Sequence, residues 1–437
     1  LLVVAIIILV CIAGSRLSGR LGVPTLFIFI MLGMLFGSDG IFKIPFGNFA
    51  LAEQVCSVAL IFIMFYGGFG TRWSEAKPVA GRSILLSSAG VVLTAFLTGL
   101  FCHLVLKMAL MEGMLLGAVL GSTDAASVFS ILRSRKLNLK YGTASMLELE
   151  SGSNDPFAYM MTVILLSAMT GSVSGGSAVL LLIRQLAFGL LTGAAVAWLV
   201  TWLLKRYAFY GEGFDTIFVF AAAIISYALA SQIGGNGYLS VYLTGIILGN
   251  QELKNQKALV GFFDAFTGMM QMLLFFLLGL LAFPSQMPSI VLPAIAIALF
   301  LTFVARPAAV GLLLAPSKPP IGQYLVISWA GLRGAASIVF AIMATLSEGY
   351  MKYDIFHIVF CVVLFSIIFQ GSLLPKVAEK CDMIDNSTDV MRTFSDYTGD
   401  MQIQFVQLPI GDNHPWKNRK ICEIEMLPGM LITVIRR

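Results

Sequence analysis

Residues 148–156 read Glu148-Leu149-Glu150-Ser151-Gly152-Ser153-Asn154-Asp155-Pro156 and lie inside the apolar run 141–170. A charge at membrane depth is expensive and usually functional, so three acids in one such run mark a candidate site. Ser151 and Asp155 are four residues apart, and on a helix their oxygens face the same side. Oxygen ligands suit a hard alkali cation. This stretch therefore predicts a helix that carries a cation site.

The composition of the whole chain indicates a membrane protein. Of the 437 residues, 58% are hydrophobic and only 12% are charged, whereas a soluble domain has roughly 25% charged residues. The composition excludes a soluble enzyme. The net charge of +5 lies in short loops, so we expect no nucleic-acid partner. Six cysteines without a CxxC pair predict neither a disulfide framework nor a metal site.

Apolar segments between glycine, proline or charged positions predict thirteen membrane spans, since a span needs about 20 mostly apolar residues and a broken helix needs fewer. The fold class is therefore an all-α polytopic membrane protein. The predicted spans are 1–14, 24–37, 52–69, 84–106, 114–132, 141–170, 178–204, 214–231, 238–248, 259–283, 290–315, 324–346 and 355–377.

The basic residues of the loops are distributed unequally between the two membrane faces that this span count predicts. Short cytoplasmic loops are rich in Lys and Arg, and one face of the prediction holds 14 of them against 3 on the other. The N-terminus is then outside and the C-terminus cytoplasmic. The three on the outer face are Lys43, Lys107 and Lys352; the others are Arg16, Arg20, Arg72, Lys77, Arg82, Arg133, Arg135, Lys136, Lys140, Lys205, Arg206, Lys254, Lys257 and Lys318.

The C-terminal region has a different composition. A polar linker precedes short strand-like runs at 401–409 and 430–435, which predict the start of a cytoplasmic α/β module too short to bury its own core. We expect the module to continue beyond Arg437 and other residues to precede Leu1. The predicted division is 1–378 for the transmembrane domain, 379–400 for the linker and 401–437 for the truncated module.

Two more motifs place charges inside spans. Gly121-Ser122-Thr123-Asp124-Ala125-Ala126-Ser127 interrupts a span and suits an unwound segment that faces a cavity. In Trp329-Ala330-Gly331-Leu332-Arg333-Gly334-Ala335-Ala336-Ser337, glycines bracket an arginine. Both contain Gly-x-x-x-Ala-Ala-Ser, and paired interruptions point to the site of an inverted-repeat transporter. The alternatives are a chance match between small-residue helices and charges that only hold helices together.

Four other embedded polar residues have structural interpretations. Asp264 and Arg184 lie near the ends of predicted spans, where long or charged side chains reach the membrane interface. His103 and His357 are isolated in apolar runs and are expected to be packed against local partners.

Together with Phe-Leu-Leu-Gly-Leu-Leu at 276–281, Ala-Arg-Pro at 305–307 and Gly-Leu-Arg-Gly-Ala at 331–335, these motifs resemble the cation:proton antiporter-1 family, and within it the NhaP-type potassium/proton antiporters with an RCK_C domain. The resemblance covers nearly the whole chain. It implies a secondary transporter, not an enzyme. It also implies a dimer in the bacterial inner membrane and thirteen spans with inverted repeats and crossed broken helices, an NhaA-like fold.

The resemblance also assigns roles to residues. Asp155 would carry the cation and the proton in turn, with Asn154 as its partner, and no resident cofactor or metal other than the transported K⁺ or Na⁺ is implied. The residues implied in the shell of the ion are Thr123, Asp124 and Ser151; the supporting or modulating charges are Glu148, Glu150, Arg306 and Arg333.

The sequence departs from the family in the third span. Many of these antiporters have an acid where this chain reads Phe65-Tyr66-Gly67-Gly68-Phe69-Gly70, so any role of that acid in selectivity or gating is not carried over to this chain. The resemblance favours K⁺ over Na⁺ without deciding between them. The C-terminal residues resemble the first half of an RCK_C domain, for which nucleotides such as cyclic di-AMP are candidate regulators.

Burial disfavours a charged carboxylate and a bound cation favours it, so proton and cation compete for Asp155. If the core moves only when Asp155 is neutralised, exchange follows, and one titrating acid beside Asn154 predicts an electroneutral one-for-one cycle. A second titrating acid, for which Asp124 is the candidate, would allow two protons per cation; its position at a helix break favours a permanently charged or locally bonded role. The alternatives are an RCK-regulated potassium channel, disfavoured because no TVGYG-like filter is present, and a membrane enzyme, disfavoured because no histidine lies in a GxSxG or HExxH context.

Overall fold

The computed structural model describes residues 2–21, 24–135, 137–172, 175–206, 213–253, 255–347, 349 and 351–385. The chain divides into two units, Leu1–Thr398 and Gly399–Arg437, and every described residue belongs to the first. The predicted linker beyond residue 385 and both predicted strands lie outside the described residues.

The described part of the chain is helical apart from its loops and one isolated bridge between Leu139 and Ile384. Its α-helices are α1 (Leu2–Leu21), α2 (Thr25–Phe36), α3 (Phe49–Gly70), α4 (Trp73–Ala76), α5 (Ala80–Leu85), α6 (Val91–Leu104), α7 (Leu110–Val119), α8 (Ala125–Ser134), α9 (Thr143–Met169), α10 (Gly175–Arg206), α11 (Phe214–Gln232), α12 (Gly237–Gly249), α13 (Gln256–Leu281), α14 (Met287–Phe300), α15 (Arg306–Leu314), α16 (Ile321–Trp329), α17 (Ala335–Leu346), α18 (Ile355–Phe365) and α19 (Gly371–Lys380).

These helices occupy the positions of the predicted apolar segments. Within the described residues, seven helical stretches are long and apolar enough to cross a membrane, and five more apolar helices are shorter. Two segments predicted as single spans are each divided: 114–132 contains α7 and α8, and 324–346 contains α16 and α17. The fold is thus an all-helical polytopic membrane protein with two interrupted helices.

Three of the long helical stretches contain a π-helical turn. The turns are Leu86–Gly90 between α5 and α6, Leu301–Ala305 between α14 and α15, and Ser366–Gln370 between α18 and α19. An extra residue in a helical turn frees backbone groups and often lies at a functional site. Here the second turn leads directly into Arg306, and the third contacts the break between α16 and α17.

Glycines allow α2 and α13 to pack backbone against backbone. A Cβ at Gly33 would lie 2.1 Å from the carbonyl oxygen of Phe276, and one at Gly279 would lie 2.2 Å from that of Ile30. Helices in membranes associate through such small residues, which permit close van der Waals contact. This contact fixes α13 against the N-terminal helices.

Carboxylates hold the loops at one end of the helices. Asp39 accepts hydrogen bonds from the Ser285 hydroxyl and backbone, which hold the pKa of the Asp39 carboxyl below its usual value. His357 is 3% exposed, as expected for a packed histidine; its Nδ1 lies 2.6 Å from Asp354 and its Nε2 accepts a bond from the backbone N–H of Phe283. The loops before α14 and α18 are thereby joined.

The end of the described chain packs on the loop before α9. α19 ends at Lys380, two residues past the predicted end of the membrane domain, and Lys140 forms an ion pair of 3.0 Å with Asp382. The backbone N–H of Lys140 also donates to Met383. Residues up to 385 therefore contact the helical unit.

The glycine contact between α2 and α13 can be tested with a pair of variants on one helix. Gly279→Ala should lower the thermal stability of the purified protein, because overpacking typically costs about 1–3 kcal/mol. Gly261→Ala should be neutral or slightly stabilising, since nothing lies within 4 Å of its Cβ position and alanine is the better helix former by about 1 kcal/mol. Equal melting temperatures for the two variants in detergent would contradict the close packing.

Candidate ion-binding site

The two helix breaks contact each other at the centre of the described unit. Residues 120–124 separate α7 from α8, and residues 330–334 separate α16 from α17. The backbone N–H of Asp124 donates to the carbonyl of Leu332 at 2.8 Å, and Arg333 Nη1 donates to the carbonyl of Ser122 at 2.9 Å. Each break therefore satisfies polar groups that the other has released from helical bonding.

A glycine lets the breaks approach this closely. A Cβ at Gly334 would lie 2.4 Å from the Cβ of Asp124, so any larger residue would push the segments apart. The sequence prediction placed interruptions in both motifs, and the structure places them there.

Helix α9 presents three side chains to the first break. Ser151 Oγ donates to the Thr123 carbonyl at 2.7 Å, and Asn154 Nδ2 donates to Thr123 Oγ1 at 2.5 Å. Ser122 Oγ donates to Asp155 Oδ1. The stretch that predicted the site thus meets the GSTDAAS motif, and a hydroxyl of the break, Ser122 Oγ, bonds the Asp155 carboxylate.

Asp124 has a structural task in the same break. Its carboxylate accepts the backbone N–H of Ser127 at 3.2 Å and the Ser127 hydroxyl at 2.5 Å, which is the geometry of a helix N-cap. A negative charge at the start of α8 also complements the helix dipole. The structure brings Asp124 to the predicted site but engages both of its carboxylate oxygens with the helix.

A cavity of about 450 Å³ adjoins these residues. Asn154, which is fully buried, does not line it and instead supports Thr123 from behind. Exposed Gly67 and Asp264 belong to its wall, so the cavity reaches the surface. The polar residues of the wall are Tyr66, Ser122, Thr123, Asp124, Glu148, Ser151, Asp155, Asp264, Thr267 and Gln271.

The predicted supporting charges form one buried pair and one separate cation. Arg306 and Glu150, 4% and 1% exposed, make a two-point contact of 2.6 and 2.9 Å. Arg333 is 1% exposed and donates its hydrogen bond to the Ser122 carbonyl of the first break, not to Glu150. Burying an ion pair is tolerable only with such close geometry. Glu148 lies in the cavity wall and not among the buried pairs.

The charges around the crossing leave Asp155 uncompensated. Arg306 is paired with Glu150, and within the described residues no ion pair involves Asp155. An ionised Asp155 therefore carries a negative charge that no arginine pairs with, and one proton or one monovalent cation would neutralise it. No cluster of three metal-ligating side chains occurs in the described ranges.

Sequence reasoning missed five polar residues of the wall. Ser122 was part of a quoted motif, but its bond to Asp155 depends on how the break folds. Asp264 was expected near the membrane interface; it is exposed, and its carboxylate accepts a 3.1 Å hydrogen bond from Tyr66, which also lines the cavity. Thr267 and Gln271 share its face of α13 and recur at helical spacing, a signal that could have identified them.

Residues 5–380 match the family model of the sodium/hydrogen exchanger transmembrane domain. The chain belongs to the sodium/hydrogen exchanger family. It is 37% identical over 379 residues to a K(+)/H(+) antiporter NhaP of Alkalimonas amylolytica and 36% identical over 383 residues to NhaP2 of Shewanella oneidensis. Each match covers 86% of this chain and 66% of the relative, so the chain spans about two thirds of these proteins.

Solved structures resemble the fold. The sodium proton antiporter MjNhaP1 of Methanocaldococcus jannaschii superposes with a TM-score of 0.75 at 23% identity, over 86% of this chain and 98% of that structure. This chain therefore shares its helical architecture with MjNhaP1.

The buried pair can be tested against a surface pair of the same kind. Glu150→Gln should destabilise the protein strongly, because breaking one partner of a buried ion pair costs about 3–5 kcal/mol. Asp382→Asn removes the ion pair with Lys140, whose partners are 31% and 95% exposed, and exposed pairs contribute about 1 kcal/mol or less. Thermal unfolding in detergent measures both, and an equal loss would contradict the assignment of Glu150 and Arg306 as a structural pair.

Proposed function

We propose that this chain exchanges a monovalent cation for H⁺ across a membrane, with Asp155 as the group that carries each in turn. One observation carries the proposal: a carboxylate without an ion-pair partner among the described residues lies on a cavity wall beside a helix crossing. The names of the relatives, both K(+)/H(+) antiporters, support the same class of reaction.

Charge balance supplies the coupling. Moving a bare charge through a low-dielectric core costs several kcal/mol or more, and the charge of Asp155 is neutralised only when this carboxylate holds a proton or a cation. Because the proton and the cation compete for one site, each crossing carries one or the other, which results in exchange. The empty site, with Asp155 charged, does not cross. Ser122, Thr123 and Ser151 are the neighbouring oxygens that would replace water around the ion.

The stoichiometry follows from the same residues. Asn154 cannot ionise, and Asp124 is engaged as a helix cap, so Asp155 is the single exchanging carboxylate and the cycle is one cation for one proton. K⁺ is favoured because both relatives are named for it. The hydroxyl, carbonyl and carboxylate oxygens are equally suited to Na⁺.

The membrane arrangement is proposed on the same basis. Thirteen spans in an NhaA-like arrangement place the N-terminus outside a bacterial inner membrane, and with it the N-terminal end of α9 and the C-terminal end of α3 on the cytoplasmic side. The cavity wall uses the N-terminal half of α9 and the C-terminal half of α3, so we propose that the cavity opens toward the cytoplasm. We also propose a homodimer, for which cross-linking in membranes is the test. An RCK_C-like regulatory start at 401–437 rests on the sequence resemblance, and nucleotide binding to the purified chain tests it.

The Asp155 assignment predicts a complete loss of exchange. Asp155→Asn should abolish cation-dependent proton release from everted vesicles, measured with a pH-sensitive dye, while the protein remains folded in detergent. Asp382→Asn, a surface acid outside the cavity, is the control and should keep the wild-type rate. Full exchange by Asp155→Asn would refute the assignment, and an absence of exchange by the wild type would refute the proposed function.

The same assay determines the ion and the stoichiometry. With K⁺, Na⁺, Rb⁺ and Li⁺ added in turn, we expect the lowest half-saturating concentration for K⁺. Thiocyanate, which collapses a membrane potential, should leave the initial rate unchanged because an electroneutral cycle moves no net charge. Acceleration by thiocyanate would contradict the one-for-one exchange, and a rate that neither saturates nor depends on the pH gradient would indicate a channel.

A further inference from the structure

Two helices contribute polar side chains to the cavity at the same spacing. In each set the residues are three and then four positions apart, so they lie on one helical face over about 10 Å. The set on α9 is Glu148, Ser151 and Asp155; the set on α13 is Asp264, Thr267 and Gln271. In each set the residue nearest the helix N-terminus is an acid, Glu148 on α9 and Asp264 on α13, and the α9 set ends in a second acid, Asp155.

The set on α13 has chemistry that the exchange at Asp155 does not use. Asp264 is exposed at the cavity surface and accepts the Tyr66 hydroxyl at 3.1 Å. Thr267 is only 5% exposed, yet its hydroxyl has no hydrogen-bond partner among the described residues, although it lies in a polar cavity wall. A buried hydroxyl usually finds a partner, so one left without any in a cavity indicates a ligand position.

We propose that Asp264, the hydroxyls of Tyr66 and Thr267 and the amide oxygen of Gln271 form a second, weaker site for a monovalent cation, which the ion occupies before it reaches Asp155. This inference rests on the proposed function, because it supplies the entry step of that exchange. The donors are all oxygens, which suit an alkali cation. Tyr66 donates a hydrogen bond to Asp264 at 3.1 Å, which holds the tyrosine oxygen beside that carboxylate in the cavity wall.

The position of this site explains what it would contribute. Asp155 lies 12 residues into α9, which is about 18 Å along the helix, and a cation that binds there exchanges water for protein oxygens. An acid at the cavity surface raises the local cation concentration, because low-dielectric walls focus its field. Oxygens spaced along α13 then replace the lost water in steps.

The kinetic test separates entry from exchange. Asp264→Asn should raise the cation KM about 3- to 10-fold with little change in the maximal rate, because a cavity lined by one sign of charge raises the local cation concentration. The increase should shrink when choline chloride raises the ionic strength, since salt screens the field of an exposed charge. Asp264→Glu, which keeps the charge, should restore most of the loss.

The matched control is Glu252→Gln, which removes an exposed acid from the loop before α13 and outside the cavity wall. Its KM should equal that of the wild type. An unchanged KM in Asp264→Asn, or a loss of maximal rate alone that Tyr66→Phe reproduces, would show that the two residues only join α3 to α13 and would overturn the inference while leaving the exchange intact.

A binding measurement keeps the inference testable without transport. Purified Asp155→Asn protein should retain weak ⁸⁶Rb⁺ binding, and either Asp264→Asn or Thr267→Val added to it should abolish that binding. Adding Glu252→Gln should leave it unchanged. If Asp155→Asn alone removes all ⁸⁶Rb⁺ binding, no second site exists; the proposed function would stand, because it depends only on Asp155.

Discussion

The architecture of the described unit depends on peptide groups at two helix breaks that make no helical hydrogen bond and instead bond groups of the other break. Water is scarce inside a membrane, so a broken helix is tolerated only where other protein groups satisfy its backbone. Here the N–H of Asp124 bonds Leu332, and the guanidinium of Arg333 bonds Ser122. Each break therefore relies on the other for the partners of some of its free backbone groups.

The π turn Ser366–Gln370, between α18 and α19, stabilises this crossing through hydrogen bonds to the second break. The backbone N–H of Arg333 donates to Ser366, and Ser366 donates to Gln370. Gln370 and Trp329 then exchange two hydrogen bonds between side chain and backbone, at 2.7 and 2.9 Å. The π turn supplies groups that a regular helix would keep for itself, and it holds the second break in register with the first.

The acids around the crossing have different partners and therefore different roles. Glu150 is committed to Arg306, and Asp124 to the start of α8. Asp155 has no ion-pair partner among the described residues and lies in the cavity wall. Asp264 belongs to the same wall, on α13, and is exposed. The same residue type thus supports packing, caps a helix, or stays available for an ion, according to the partner that the fold provides.

Most of the helical pattern was predictable from the chain, because apolar length and punctuation are local properties. The interruptions at 120–124 and 330–334 were predicted from glycine and small polar residues, and a polar group in an apolar run must have a cavity or a partner. Residues 386–437 lie outside the described part of the chain, so the module predicted there stays a prediction.

The sequence by itself determined which helices form, where two of them break, and that residues 148–156 carry the acids. Only the tertiary structure decided the partners: Glu150 pairs with Arg306, 156 positions away, while Arg333 bonds the opposite break. It also joined Asp264 to Tyr66, 198 positions away, in the cavity wall. Helix periodicity is set by neighbours along the chain, whereas charge pairing depends on which distant helices meet.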